Sequence, residues 1–197
     1  MISDKEVAGR LSKADRREQL LDAAEDVVVT GRVASVTMEA VAARAGVSKA
    51  LPYAHFANAD AVLLALYERE MARLTTRLEL ELADGAASGE EQLRRVVHAL
   101  FDVLSQRGTL FAAFVRSTIP ERLDGGKRLG HRYIASLLRR TIGLEVDRSI
   151  VLGTIVYAAL GGAVESYARR DAGRAVIEER IFRFVLAGSR ALAEAST

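Results

Sequence analysis

The chain has no cysteine among its 197 residues. That excludes disulfides, thiolate metal sites and a cysteine nucleophile. It also suits a reducing compartment. Proline occurs only at Pro52 and Pro120, so little interrupts a helical backbone. Charge of one sign is lacking too: 28 basic residues against 26 acidic leave a net +2. Residues 1–56 hold eight of each and are neutral. A strong nonspecific polyanion binder would show a clear basic excess. The longest uncharged run, Ser149–Val164, is 16 residues, short of the roughly 20 a membrane-spanning helix needs. The first residues mix charges and lack the apolar run of a secretory signal. These absences predict a cytoplasmic location with no membrane partner.

What is present favours helix. Alanine, leucine, arginine and glutamate dominate, all good helix formers. The fold class expected is all-α, and the length allows a core in one domain or two small ones. Apolar spacing of three and four predicts helices over about 13–30, 59–82, 91–106, 109–119, 126–142, 147–170 and 174–194. Gly31 and the run Asp84-Gly-Ala-Ala-Ser-Gly89 read as breaks.

Two further helices are expected in Thr37–Phe56. Thr37 can cap the first, its hydroxyl taking an orphan backbone N–H. Val41 and Ala45 share one face. Gly46 stands where a chain leaving one helix needs positive φ. Ser48 can cap the second helix, which carries Tyr53 and Phe56 three residues apart. This is the layout of a helix-turn-helix, whose second helix enters the major groove of DNA. An ordinary helical hairpin with a glycine cap would use the same offsets.

Val47-Ser-Lys-Ala-Leu-Pro-Tyr-Ala-His-Phe56 resembles the signature of the TetR family of transcriptional repressors. Val47, Ser48, Lys49, Tyr53, His55 and Phe56 match it. The preceding Val36–Gly46 resembles the family's first motif helix. The resemblance covers roughly residues 12–72. It implies a helix-turn-helix DNA-binding domain at 1–58 and a helical regulatory and dimerisation domain at 59–197. Lys49 and Tyr53 would contact DNA backbone and bases. Ala50 and Leu51 would approach base edges, Thr37 and His55 would meet phosphates, and Ser48 and Ala54 complete the DNA-facing set. Two departures stand out. Leu51-Pro52 replaces the usual Thr-Leu, so a base contact at 51 is apolar. The lysine that typically follows the Phe is absent, which leaves a helix N-terminus capped by Asn58 to meet phosphate.

In the remainder, 147–170 is apolar nearly all round and must be covered on both sides. Gly153, Ala158, Gly161 and Gly162 permit close helix approach there. Ile177, Ile181, Phe184, Val185 and Gly188 share one face of 174–194. Two such helix pairs would form a four-helix bundle in a homodimer, and the resemblance also implies dimerisation by the last two helices. Phe101, Phe111, Phe114, Tyr157 and Tyr167 can line a cavity, with Arg116 or His131 as the polar group. The resemblance implies that a small-molecule effector is sensed there.

His98 and Asp102 are the one His–carboxylate pair at helical spacing, with no third ligand or nucleophile nearby. No cofactor, metal or catalytic residue is therefore expected. Lys127, Arg128, Arg132, Arg139 and Arg140 read as a solvated basic face. The function expected is a ligand-responsive repressor binding a palindromic operator. A ligand-independent DNA-binding protein is the rival. A helical enzyme with a structural N-terminal motif is the more distant one.

Overall fold

The structure, a computed structural model, describes residues 11–83, 87–115, 126–168 and 173–194. Among the described residues it is all helical, with no strand. It divides into two compact units, Met1–Leu66 and Tyr67–Thr197. The division falls within a helix, eight residues beyond the expected boundary at 58/59. Val62 and Leu66, in the first two turns of that helix, are fully buried.

The first unit holds α1 (Lys13–Thr30), a 3₁₀ turn at Val33–Ser35, α2 (Met38–Ala45), a second 3₁₀ turn at Pro52–Ala54, and the start of α3 (Ala59–Glu81). Ser12 caps α1, its Oγ accepting from the Asp15 N–H at 3.1 Å. Leu20, Ala24 and Val28 recur at four-residue spacing and face inward. Gly31 ends the helix by donating to the Val27 carbonyl at 3.0 Å. α1 and α2 pack together, and the Gln19 side chain ties them by donating to the Ala45 carbonyl at 3.1 Å. Asn58 Oδ1 accepts from the Ala61 N–H at 2.9 Å, so α3 starts on the cap the sequence predicts.

The second unit holds the rest of α3, α4 (Gly89–Val115), α5 (Gly126–Ile142), α6 (Val146–Ala168) and α7 (Arg174–Glu194). α5 and α6 make the most extensive pairing. They meet at Gly153, where an added Cβ would stand 2.9 Å from the Ala135 nitrogen and 3.1 Å from the His131 carbonyl. Leu93, Val97, Phe101, Leu138, Leu152, Val156, Phe182 and Val185 form the core. Gly89 begins α4 against the C-terminal end of α5. A Cβ there would fall on the Thr141 carbonyl oxygen, so only glycine permits the approach.

The separate helices expected at 91–106 and 109–119 are one continuous helix, α4, as far as Val115. Gly108 lies between the two expected helices, yet its backbone stays helical, and a Cβ added there would meet nothing within 4 Å. Its cost is entropic, about 1 kcal/mol, and the flanking packing of Phe101 and Leu110 outweighs it. No helix among the described residues is long and apolar enough to cross a membrane.

Candidate nucleic-acid interface

The turn in the first unit is built from two local devices. Thr37 Oγ1 accepts from the Ala40 N–H at 3.0 Å and fixes the start of α2. Gly46 takes φ 66°, and Val47 donates back to the Ala42 carbonyl at 3.0 Å. This pair of bonds around a left-handed residue ends the helix sharply.

Beyond it the sequence predicts a regular helix, and the structure differs. Turns at residues 49–51 lead into a short 3₁₀ helix, Pro52–Ala54, instead. The Leu51 N–H donates to the Ser48 carbonyl, and Ala54 to Leu51, each at 3.0 Å and three residues back. Pro52 has no N–H to reach back to Ser48, which removes one four-residue bond near the start, and Phe56 donates four residues back to the Pro52 carbonyl at 2.9 Å.

That winding sorts the side chains. Pro52 and Phe56 are buried, and Arg17 lies over the Phe56 ring at 4.7 Å. Thr37, Ser48, Lys49, Ala50, Tyr53 and Ala54 are exposed; Leu51 and His55 are half-buried. Tyr53, at 55% exposure, is the one large aromatic among the exposed hydrophobics near the turn. His55 Nδ1 is buried without a hydrogen-bond partner. Arg44, a candidate for positive surface, is spent on Asp26 at 2.9 Å. The exposed set is thus small and weakly charged, with Thr37, Ser48, Lys49 and Tyr53 its polar members and Lys49 its one charge.

With this geometry in view the comparisons are decisive. Residues 20–66 match the family model for bacterial regulatory proteins of the tetR family. Over these residues the chain belongs to the TetR family. A TetR-like regulator from a Rhodococcus species superposes with TM-score 0.69 at 21% identity, covering 91% of this chain and 98% of that one. The FadR regulator of Bacillus subtilis, solved in complex with stearoyl-CoA, superposes with TM-score 0.66 at 19% identity, covering 87% and 98%. The transcriptional activator FasR of Mycolicibacterium smegmatis is 35% identical over 95 residues. That match spans 48% of this chain and 43% of the relative's length, so the chain aligns with less than half of it. The TetR family is one of transcriptional regulators, and the matched residues are those of the first unit.

In the second unit the residues expected around an effector are brought together in part. Phe101 and Phe114 are buried. Phe114 meets Tyr67 edge-on at 5.5 Å, and His131 meets Tyr157 edge-on at 4.4 Å. The Tyr67 and Tyr157 hydroxyls face each other at 3.5 Å. Burial, and then the neighbouring Tyr157, push the Tyr67 phenol far up. Phe111 is half-buried against the core. Arg116 and the Tyr167 side chain lie outside what is described.

Sequence reasoning missed Glu70 as the polar centre of this unit. It is 1% exposed and accepts from Arg69 Nε at 3.2 Å and Arg73 Nη1 at 3.0 Å. Arg107 stands against its other oxygen as a charge contact rather than an aligned hydrogen bond. The apolar register of α3 points Glu70 inward, and that signal was legible. The arginine that reaches it from α4 was not.

The residues expected at a dimer interface separate. Ile177 and Val185 belong to the unit's own core, and Ile181 packs against it. Gly153 faces α5, and a Cβ on Gly188 would meet Leu152 at 3.2 Å. Ala158, Gly162 and Phe184 are exposed, while the surroundings of Gly161 are not described. Unforeseen exposed apolar residues lie on the same two helices: Ile150, Val151, Ile155 and Val176. A helix that is apolar nearly all round gives no sequence sign of which side stays uncovered.

His98 and Asp102 prove to be parts of an ion-pair seam. His98 Nδ1 lies 2.8 Å from Glu178 Oε1, and its Nε2 3.8 Å from Asp102. Arg174 holds Asp102 at 2.6 Å and Glu178 at 3.3 Å.

Proposed function

We propose that this protein regulates transcription as a homodimer that reads a palindromic operator, and that a small amphipathic molecule bound in the second unit releases it. The observation that carries the reading is the exposed Lys49–Tyr53 surface, held by the Thr37 cap and the left-handed Gly46. It offers a charge, a phenol and small residues that let the backbone approach DNA closely. Leu51 would meet a thymine methyl.

A two-fold dimer presents two such surfaces, which is what a palindrome requires. Ile150, Val151 and Ile155 of α6, with Val176 and Phe184 of α7, support the dimer as apolar side chains left exposed by the single chain. A long-chain acyl compound is the effector class favoured. The stearoyl-CoA complex of B. subtilis FadR has this fold, and the buried aromatic side chains with two opposed phenols suit an apolar tail with a polar end. The function is binding, not catalysis. The activator name of FasR fits the same chemistry, because repression or activation follows from where the operator lies.

Operator selection from a random duplex pool tests the reading, followed by gel shifts with and without stearoyl-CoA. A two-fold symmetric sequence released by the acyl thioester is expected. Recovery of no preferred sequence overturns the operator reading. Unchanged binding with acyl thioesters and with a metabolite extract overturns the effector.

A further inference from the structure

Arginines on most helices of the second unit are matched by acids. Arg95 has Glu91, Arg183 has Glu179 and Arg190 has Glu90. α5 departs from this. Its sequence Gly126–Ile142 holds five Lys and Arg residues and no Asp or Glu. Arg132, Arg139 and Arg140 are exposed and form no ion pair or hydrogen bond among the described residues; the charge of Arg140 acts on Tyr133. Ser136 lies one turn from both ends of this set, on the same face. A groove of about 410 Å³ runs beside it, lined by Ser136, Arg139, Arg140, Gly143 and Leu144.

A local duty explains only part of this. Arginines in a last turn favour the negative end of a helix by up to about 1 kcal/mol, and the effect fades within that turn. Arg132 lies more than two turns earlier. The N-terminus of α4, at Gly89, already abuts the carbonyl end of α5.

We propose that this face of α5 docks an acidic segment of another protein, whose carboxylates engage Arg132, Arg139 and Arg140. The proposal stands apart from operator and effector. Guanidinium groups take carboxylates two bonds at a time. From Arg132 to Arg140 the helix advances about 12 Å at 1.5 Å per residue, the length of about four residues of extended chain. A lipid surface suits the face poorly, because Ala135, Leu137 and Leu138 are buried and leave nothing to insert. Single-stranded nucleic acid suits it poorly because no exposed aromatic on α5 offers a stacking platform.

The test uses the full chain and a fluorescein-labelled peptide of alternating glutamate and serine, read by fluorescence anisotropy at low salt. Binding is expected to weaken at least about tenfold in R132Q/R139Q/R140Q, and less than about twofold in R95Q/R183Q/R190Q, which loses the same charge from paired positions. Circular dichroism checks that both variants fold. Equal weakening in the two variants overturns the proposal, as does no binding by the parent chain. It is also overturned if the parent binds non-operator duplex DNA or anionic vesicles through these arginines more tightly than the peptide.

Discussion

At Tyr53 a phenol 55% exposed follows a buried proline. The 3₁₀ winding at Pro52–Ala54 leaves the ring exposed while Phe56 is buried. Removing only the hydroxyl therefore leaves the fold alone. Tyr53→Phe is expected to weaken operator binding by about 1.5–3 kcal/mol, the worth of one hydrogen bond to a charged group, with the melting temperature unchanged. Titration at fixed salt decides it: equal affinity removes the hydroxyl from the contact. Gly108 is a residue of the opposite kind. It sits inside α4 with open space around it. Gly108→Ala should stabilise the protein by about 0.5–1 kcal/mol, since alanine loses less backbone freedom on folding. Urea unfolding measures this, and a loss of stability would place unseen packing at that position.

Between elements, ion pairs lie along the seam of α4 and α7 beside the apolar core the two helices share. The hydrogen bond from Arg174 is the main cause holding the Asp102 carboxyl below its usual range. Burial opposes it, and the charges of Arg174, His98 and Arg77 assist. The sign follows from the depressed folded value. The stabilisation is complete above the unfolded carboxylate range, at about pH 4, and is lost as pH falls through the lower folded value. Arg174→Gln should therefore cost stability near neutrality, and the gap to the parent should narrow below about pH 4. A gap that stays constant into strong acid, in urea unfolding across a pH series, would show that the pair does not contribute. The expected break between 106 and 109 belongs to this scale too. The sequence shows a glycine there, but whether a helix ends depends on the apolar neighbours of Phe101 and Leu110, which come from elsewhere in the chain.

For the whole molecule, the exposed faces of α6 and α7 separate the core from the proposed interface. Ile155→Glu with Phe184→Glu is expected to give a monomer that still folds, because both side chains are exposed in the single chain. A charge at Val185 or Ile177 should instead unfold the second unit, since both lie in its core. Sedimentation and circular dichroism separate the two outcomes. A parent that is monomeric at micromolar concentration would sink the dimer, and the palindrome with it.

Local chemistry was legible in the chain. The Thr37 cap, the left-handed Gly46, the Asn58 cap and the inward stripe of Leu20, Ala24 and Val28 each depend on neighbours within one or two helical turns, and each formed as the sequence implied. Lys49, Ala50, Tyr53 and Ala54 are exposed by the same local winding, which suits the DNA contacts proposed for them. The N–H missing at Pro52 was legible too and accounts for one absent four-residue bond; the short 3₁₀ winding that replaces a regular helix there was not. Tertiary structure alone decided which faces of α6 and α7 are covered, because apolar residues ring α6 and only packing chooses among them. It also brought Arg107 to Glu70 and Arg174 to Asp102. Those pairs join residues far apart along the chain, and no local spacing encodes a partner that folding must first bring near.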